Sequence, residues 1–276
     1  SAAYFITGSV GFMSDAMESV INLIASIVAF ISLTIAAQPA DKKHPFGHDK
    51  AEYFSSLTEG LLITLASFGI AYTAINRIYH PQPLEELNIG MALSMVATLI
   101  NFGVAIFLLR YGKRHNSITL EADGHHLMTD VYTTVGIVAG IFLVKLTNWQ
   151  LLDPIMAIIV SISILYTGIK LIVRSTDGLM DQKLSEKDMI LIKEILDNYK
   201  IQGVDYHALY TRQSSSKRFI TFHLLFSGDI TLGDAHEISK AVEIEIAEKI
   251  PNSDIFIHME PMNDPDAYDD VLKDCK

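Results

Sequence analysis

Five long apolar stretches restrict what this chain can fold into. They cover residues 10–37, 53–79, 89–109, 120–146 and 151–179. Each is long enough to cross a hydrocarbon layer of about 30 Å as one helix. No comparable run follows residue 180, so the sequence predicts a polytopic α-helical membrane domain over residues 1–180.

The opening residues, SAAYFITGS, are too short to span a bilayer by themselves. They lack the basic region and cleavage site of a signal peptide. We therefore expect them to be the end of a further transmembrane helix whose beginning is missing.

The basic residues of the connecting segments predict the orientation in the membrane. Lys42, Lys43 and Lys50 lie between the first two stretches, and the segment 110–119 is also basic. The alternate segments carry almost no lysine or arginine. By the positive-inside rule, the basic segments and the C-terminal region face the cytoplasm, as expected of a multi-pass protein of the cytoplasmic (inner) membrane.

Two of the apolar stretches contain polar pairs at matching positions. Glu18 and Asn22 are four residues apart, as are His126 and Asp130, so each pair lies on one helix face about one turn apart. An ionisable group at membrane depth costs roughly 2.5 to 3.5 kcal/mol on insertion scales, so it needs a partner or a water-filled cavity.

Packed face to face, these two pairs would supply four ligands, enough for one tetrahedral cation such as Zn²⁺. Their two carboxylates would neutralise a divalent charge. The alternative is that these groups only hydrogen-bond one helix to another, as polar residues in membrane bundles often do.

The segment between the first two stretches contains a second possible metal site. Asp41, His44 and His48 are close in sequence, and Pro45 and Gly47 allow a short loop to bring their side chains together. The alternative is a solvated loop that happens to contain two histidines. In the stretch that follows, Glu52 and Glu59 are expected near the mouth of a cavity.

After Met180 the sequence becomes polar and acidic. From Asp181 onward it has 19 acidic and 11 basic residues, which gives −8 of the total charge of −11. This balance argues against nucleic acid as a partner. With Cys275 as its single cysteine, the chain cannot form an internal disulfide or a thiolate metal cluster.

The pattern of this region predicts the order αββαβ. Ser185, with Asp188 three residues later, is typical of a helix N-cap. Strands are expected at 204–212 and 218–226, around the turn QSSSK, then a helix at 232–249 and a strand at 254–260. We therefore predict a small α+β domain over residues 181–263, followed by an acidic tail over residues 264–276.

This domain has four of the ten histidines in the chain, His207, His223, His236 and His258. The two-residue period of a strand places His258 and Glu260 on one face, and it turns His223 away from the apolar Phe222 and Leu224. Imidazoles beside a carboxylate favour zinc or a related transition metal. Surface placement of the individual histidines is the alternative.

Several segments of the chain resemble the cation diffusion facilitator family, in particular its YiiP-like bacterial zinc/proton antiporters. They are TGSV, QPADKKHPFGHDKAE, HLMTD, TRQSSSKRF, HLLF and SDIFIHMEP. The resemblance covers nearly the whole chain, and the second and last of these segments are specific. It implies a bundle of six transmembrane helices, a ferredoxin-like cytosolic domain and a homodimer.

Carried over position by position, the resemblance implies three metal sites and a salt bridge. The transport site would be Glu18, Asn22, His126 and Asp130, and the loop site Asp41, His44 and His48. A binuclear cytosolic site at the dimer contact would be His207, His223, His236, His258 and Glu260. Lys50 and Asp181 match the positions of a salt bridge that holds such dimers together.

The chain departs from the family pattern at three of these positions. Close relatives have aspartate at the positions of Glu18, Asn22 and Glu260. Asn22 removes one negative charge from the transport site, so Fe²⁺, Mn²⁺ or Co²⁺ become more plausible substrates beside Zn²⁺ than they would be with three carboxylates. Cd²⁺ is a further candidate.

The expected function is proton-coupled efflux of such divalent metal ions across the lipid bilayer. The alternatives are a membrane-tethered metal sensor and an intramembrane metalloenzyme. The sequence has no HExxH-type pair, which argues against the metalloenzyme.

Overall fold

A computed structural model describes the backbone of residues 10–80, 89–147, 149 and 151–268. It describes the side chains of residues 23–80, 96–136, 146, 147, 149, 151, 152, 154–265 and 267. The chain forms two compact units, Ser1–Asp177 and Gly178–Lys276. The nine opening residues and the end of the predicted acidic tail lie outside the described residues.

Long helices make up the first unit. They are α1 (Val10–Ala36), α2 (Ala51–Tyr79), α3 (Ile89–His115), α4 (Ile118–Thr147) and α5 (Leu152–Leu179). Their bounds agree with the five apolar stretches to within two residues at every end but one.

The exception is the end of α3, where the helix extends beyond the apolar stretch 89–109. The helix continues to His115, and only Asn116 and Ser117 separate it from α4. Hydropathy falls where the basic residues begin, although the backbone remains helical through them. Asn116 then adopts a positive φ of 53°, the left-handed conformation that commonly ends a helix.

The surface of this unit is suited to lipid. Within the described residues, three helical segments are long and apolar enough to cross a membrane, namely Ala51–Tyr79, Val96–His115 and Pro154–Leu179. Large apolar side chains project outward from several helices, among them Phe30, Leu65, Tyr72, Leu99 and Ile162. Apolar patches of this extent are uncommon on soluble monomers, so the first unit is a membrane domain.

Buried polar contacts join the helices near the start of α4. The Glu52 carboxylate accepts hydrogen bonds from the Ser117 hydroxyl and, over 3.3 Å, from the backbone N–H of Thr119. Arg174 in α5 forms a bidentate ion pair with Glu121 in α4. Glu52 therefore satisfies one backbone N–H group at the N-terminus of α4, where a negative charge is favourable.

Helices α2 and α5 approach each other closely. A Cβ atom at Gly168 would lie 2.5 Å from the Thr64 hydroxyl and 3.1 Å from the Gly60 carbonyl oxygen, so any larger residue there requires α2 to shift. The hydroxyls of Ser56 and Ser175 are hydrogen-bonded over 2.7 Å on the same interface. Small residues of this kind bring membrane helices into close contact.

The second unit has the predicted order αββαβ. Its elements are α6 (Glu186–Ile201), β1 (Asp205–Ser214), β2 (Lys217–Phe226), α7 (Leu232–Lys249) and β3 (Ser253–Pro261), followed by a short 3-10 helix (Pro265–Tyr268). The predicted N-cap is confirmed, because the Ser185 side chain accepts a hydrogen bond from the backbone N–H of Asp188. The bounds of α7 are those predicted.

The sheet has the order β1-β2-β3, with β1 antiparallel and β3 parallel to β2. Ile220, Phe222 and Leu224 of β2 are almost completely buried, and they pack with Ile195 of α6 and Val242 of α7. The helices therefore cover one face of the sheet, and the alternation of β2 turns His223 to the opposite face.

Candidate functional site

The predicted transport pair on α4 lies at the interface with its neighbours. His126 is buried, Asp130 is half-buried, and the helix places them one turn apart on one face. Helix α1, which carries Glu18 and Asn22, packs against α4. The side chains of Glu18 and Asn22 lie outside the described residues, so the full quartet remains a prediction.

An unexpected carboxylate lies against His126. Oε2 of Glu59 is 3.3 Å from Nδ1 of His126, and the Glu59 side chain is only 2% exposed. The expectation that Glu52 and Glu59 line the mouth of a cavity is wrong, because both are buried. The Glu52 carboxylate instead caps the N-terminus of α4, and the Glu59 carboxylate faces the His126 imidazole.

Sequence reasoning noticed Glu59 but did not assign it to the transport site. The available signal was an acidic residue more than one helical turn inside an apolar stretch, where a charge is expensive. Its proximity to His126 could not be predicted, because the spacing of residues along the sequence does not show how α2 packs against α4.

The loop residues Asp41, His44 and His48 come together as predicted by their spacing. Nε2 of His48 lies 3.0 Å from Nδ1 of His44 and 3.5 Å from Oδ2 of Asp41. The remaining distance, from Nδ1 of His44 to Oδ1 of Asp41, is 3.4 Å. A metal ion of the size of zinc fits three ligands at such separations and keeps a fourth position for another group.

The backbone of this loop holds Asp41 in place. Its Oδ1 accepts hydrogen bonds from the N–H groups of Lys43 at 2.8 Å and His44 at 2.6 Å, which is the pattern of an Asx turn. The hydrogen bond from His44, reinforced by that from Lys43, lowers the pKa of Asp41 below its usual value of 3.8. Asp41 is therefore ionised and oriented before any cation binds.

The sheet brings a second group of histidines together. The strand register places His207, His223 and His258 side by side in one row across β1, β2 and β3. Neighbouring imidazole rings lie 4.8 and 4.9 Å apart between centroids. The register shift of β1 begins directly after His207, and Ala208 has a positive φ of 51°, the mark of a β-bulge.

Glu260 contacts all three of these imidazoles. Its Oε2 lies 2.9 Å from Nε2 of His207 and 3.2 Å from Nδ1 of His223, while Oε1 lies 3.3 Å from Nε2 of His258. The two oxygens of one carboxylate thus face different imidazoles. This arrangement is suited to a carboxylate that bridges two cations.

The other predicted site residues do not join these groups. His236 is exposed near the N-terminus of α7, a helix that packs on the opposite face of the sheet from His223. Asp181 forms an ion pair with Arg212 over 3.1 Å. The predicted salt bridge between Lys50 and Asp181 in a dimer remains untested.

Comparison with protein families covers both units. The family model described as the cation efflux transmembrane domain matches residues 1–180. The model described as the cytoplasmic domain of cation efflux proteins matches residues 184–262.

Similar individual proteins include two transporters and one solved domain structure. An uncharacterized transporter of Synechocystis sp., sll1263, is 47% identical over 266 residues, which is 96% of this chain and 86% of the relative. The cation-efflux pump FieF of Klebsiella pneumoniae is 29% identical over 94% of this chain and 86% of its own length. A solved structure of the metal-bound C-terminal domain of the CzcD transporter from Thermotoga maritima covers 30% of this chain and 99% of its own, at 22% identity and a TM-score of 0.27.

Proposed function

The chain belongs to the cation diffusion facilitator family of cation-efflux transporters, and on this premise we propose that it exports divalent transition-metal ions, chiefly Zn²⁺, from the cytoplasm in exchange for protons. As a member of this family it is a transporter and not an enzyme. Zinc as the substrate, the coupling to protons and the direction of transport are parts of the proposal.

The observation that carries the proposal is the buried polar face of α4. A largely apolar helix keeps His126 and Asp130 on one side, where α1 and α2 pack. A metal sensor without transport would not need these groups inside the membrane domain. A site between helices is suited to alternating access, in which one helix group moves against another and opens the site to either side.

Protons can drive this exchange through the same residues that bind the metal. A transition metal binds the neutral imidazole and the ionised carboxylate, so binding releases protons and acidification releases the metal. His126 is the residue suited to this exchange around neutral pH, with Glu18 and Asp130 supplying negative charge and Asn22 a neutral oxygen.

We assign a regulatory or structural role to the group on the sheet. His207, His223 and one oxygen of Glu260 suit a first ion, and His258 with the other oxygen suits a second. The second ion needs further ligands, and His236 of a second copy of the chain is the candidate. Metal there would join two domains and bias the membrane helices, which is an allosteric role.

The organisation we propose has a membrane domain over residues 1–180, a cytosolic domain over residues 181–263 and an acidic tail over residues 264–276. The protein is placed in the cytoplasmic membrane as a homodimer, with Lys50 and Asp181 forming the salt bridge between copies. The loop site of Asp41, His44 and His48 lies on the cytoplasmic side, where it takes up cations.

Reconstituted vesicles test the function directly. Purified protein is placed in liposomes with a metal indicator and a pH indicator inside, and Zn²⁺, Fe²⁺, Mn²⁺, Co²⁺ and Cd²⁺ are added in turn. We expect metal uptake with opposite proton movement, largest for Zn²⁺. Metal binding without uptake of any of these ions would favour a sensor and refute transport.

A further inference from the structure

Glu59 is a buried carboxylate to which the transport proposal gives no role. It lies in α2, outside the four predicted ligands, and its side chain is 2% exposed. Within the described residues, its Oε2 atom accepts no hydrogen bond. An ionised carboxylate in a buried site is stable only beside a cation or a set of donors, and it otherwise takes up a proton. A cation beside this oxygen would therefore stabilise the ionised form of Glu59.

The distance to His126 fits two ligands of one ion. Oε2 of Glu59 is 3.3 Å from Nδ1 of His126. Oxygen and nitrogen ligands lie about 2.0 to 2.1 Å from zinc, so two neighbouring ligands on one four- or five-coordinate ion are about 2.9 to 3.5 Å apart. A strong charge-assisted hydrogen bond between these groups would be shorter, at about 2.7 to 2.9 Å.

The charges around Glu59 also favour a cation. Asp123 and Asp130 on α4 both act on Glu59 by electrostatic repulsion. Three carboxylates with one imidazole between two membrane helices repel one another in the absence of a positive charge. A divalent ion among them replaces this repulsion by attraction.

The packing of α2 fixes Glu59 in this position. Gly60, the next residue, lies against Ile172 and Gly168 of α5, and one residue turns a helix by about 100°. Glu59 therefore faces α4 while Gly60 faces α5. The hydrogen bond between Glu52 and Thr119 joins α2 and α4 near their N-termini. Glu59 and His126 each follow these residues by seven positions, so both lie about 10 Å further along their helices.

We infer that Glu59 is a direct ligand of the transported metal ion, adding a third carboxylate to Glu18 and Asp130. The ion is a divalent transition metal, and the inference rests on the proposed transport function. A bound ion then links α2 to α4 through Glu59 and His126. Because Asn22 is neutral, the predicted quartet has only two carboxylates. Glu59, on a different helix, supplies the third negative charge.

The test measures metal binding in the full chain after the other sites are removed. The background variant carries alanine at five histidines, His44, His48, His207, His223 and His258. Zn²⁺ affinity is measured by competition with a chelating dye, and Co²⁺ is bound as a spectroscopic probe. Glu59→Gln is compared with Thr58→Val, an exposed neighbour on the same helix.

We expect Glu59→Gln to weaken Zn²⁺ binding by about tenfold or more, to raise the KM for uptake in vesicles, and to change the visible spectrum of bound Co²⁺. Thr58→Val leaves all three unchanged. Glutamine still accepts a hydrogen bond from an imidazole N–H but is a much weaker ligand for a divalent ion. Unchanged affinity and spectrum in Glu59→Gln would therefore overturn the inference and assign Glu59 an orienting role.

Failure of the underlying function gives a different result. If the background variant neither binds nor transports metal, or if Asp130→Asn binds Zn²⁺ as the background does, the transport site itself is wrong and the inference falls with it. Folding of the membrane domain is checked separately, because Glu59→Gln made in the natural sequence must elute in detergent as a single species at the volume of the natural protein. If Glu59→Gln fails this check, Glu59→Asp is used instead, because it keeps the negative charge. We expect its Zn²⁺ affinity to be close to that of the background variant. Loss of Zn²⁺ binding in a folded Glu59→Asp protein would contradict the inference that the charge of residue 59 binds the metal.

Discussion

Nδ1 of His223 lies 3.2 Å from Oε2 of Glu260, although His223 is paired in the sheet with His258 and not with Glu260. The contact is diagonal across two parallel strands. It forms because residues two apart on a strand share a face, so Glu260 reaches back over the row of histidines. One carboxylate then serves three imidazoles that come from all three strands.

This relationship predicts the effect of removing histidines from the sheet. His223→Ala combined with His258→Ala should remove zinc from the second unit and weaken dimerisation, while transport at saturating metal continues. The physical reason is that each ion loses one imidazole from a small set. Zinc content by elemental analysis and mass in detergent by sedimentation provide the measurements.

Lys240→Ala is the matched control, because Lys240 is exposed on α7 and pairs with Glu243 of the same helix over 2.9 Å. It should retain both zinc and the dimer. Transport lost together with zinc in the double histidine variant would contradict a purely regulatory role for this group.

The loop site should show a pH dependence that comes from its histidines. Hydrogen bonds from His44 and Lys43 lower the pKa of Asp41 below 3.8, so Asp41 is ionised throughout the range from pH 5 to 8. A carboxylate with a lowered pKa loses its charge only when the pH falls through that lowered value. Over pH 5 to 8, metal affinity should therefore fall on acidification only because imidazoles are protonated.

Asp41→Asn separates these contributions. The asparagine oxygen still accepts the backbone hydrogen bonds of the Asx turn, while the negative charge is lost. We expect Zn²⁺ affinity at the loop to fall about tenfold at each pH, with its slope against pH unchanged. Dye competition in a variant without His126, His207, His223 and His258 measures this, and a changed slope would contradict the role of Asp41 as a fixed charge.

Much of the fold was accessible from the sequence because local signals and tertiary structure agree. Apolar length fixed the helices of the membrane domain, and the Ser185 cap and the two-residue period of β2 fixed elements of the second unit. The end of α3 was missed for a physical reason. Its last turns are basic and leave the apolar layer, so hydropathy ends before the helix does.

The close approach of Glu59 to His126 could not be predicted from the sequence. It depends on the rotation of α2 against two neighbours, which close packing at Gly168 determines. The row of sheet histidines could be predicted only in part, because the strand register depends on the bulge after His207. His236, grouped with these residues from the resemblance, is separate from them within the described part of the chain.

The core of the second unit should be sensitive to cavity formation at β2. Phe222 is completely buried between the sheet and its helices, so Phe222→Ala should lower the free energy of unfolding of this unit by about 3 to 5 kcal/mol. Hydrogen exchange of the β2 amides in the full protein measures the change. Leu232→Ala, at a residue that is 76% exposed, should change exchange little, and equal effects of both variants would contradict this core.

Transport should depend on Asp130 more than on its neighbours in α4. Asp130→Ala removes a carboxylate from the proposed ligand set, so metal-driven proton movement in vesicles should fall to the level of empty liposomes. Thr134→Val is the matched control, because the Thr134 hydroxyl donates to the backbone carbonyl of Asp130 over 3.0 Å and not to its side chain. Elution of Asp130→Ala in detergent as a single species, at the volume of the natural protein, shows that the variant is folded. Proton movement at the natural rate in that folded variant would remove Asp130, and with it the face shared with His126, from the transport mechanism.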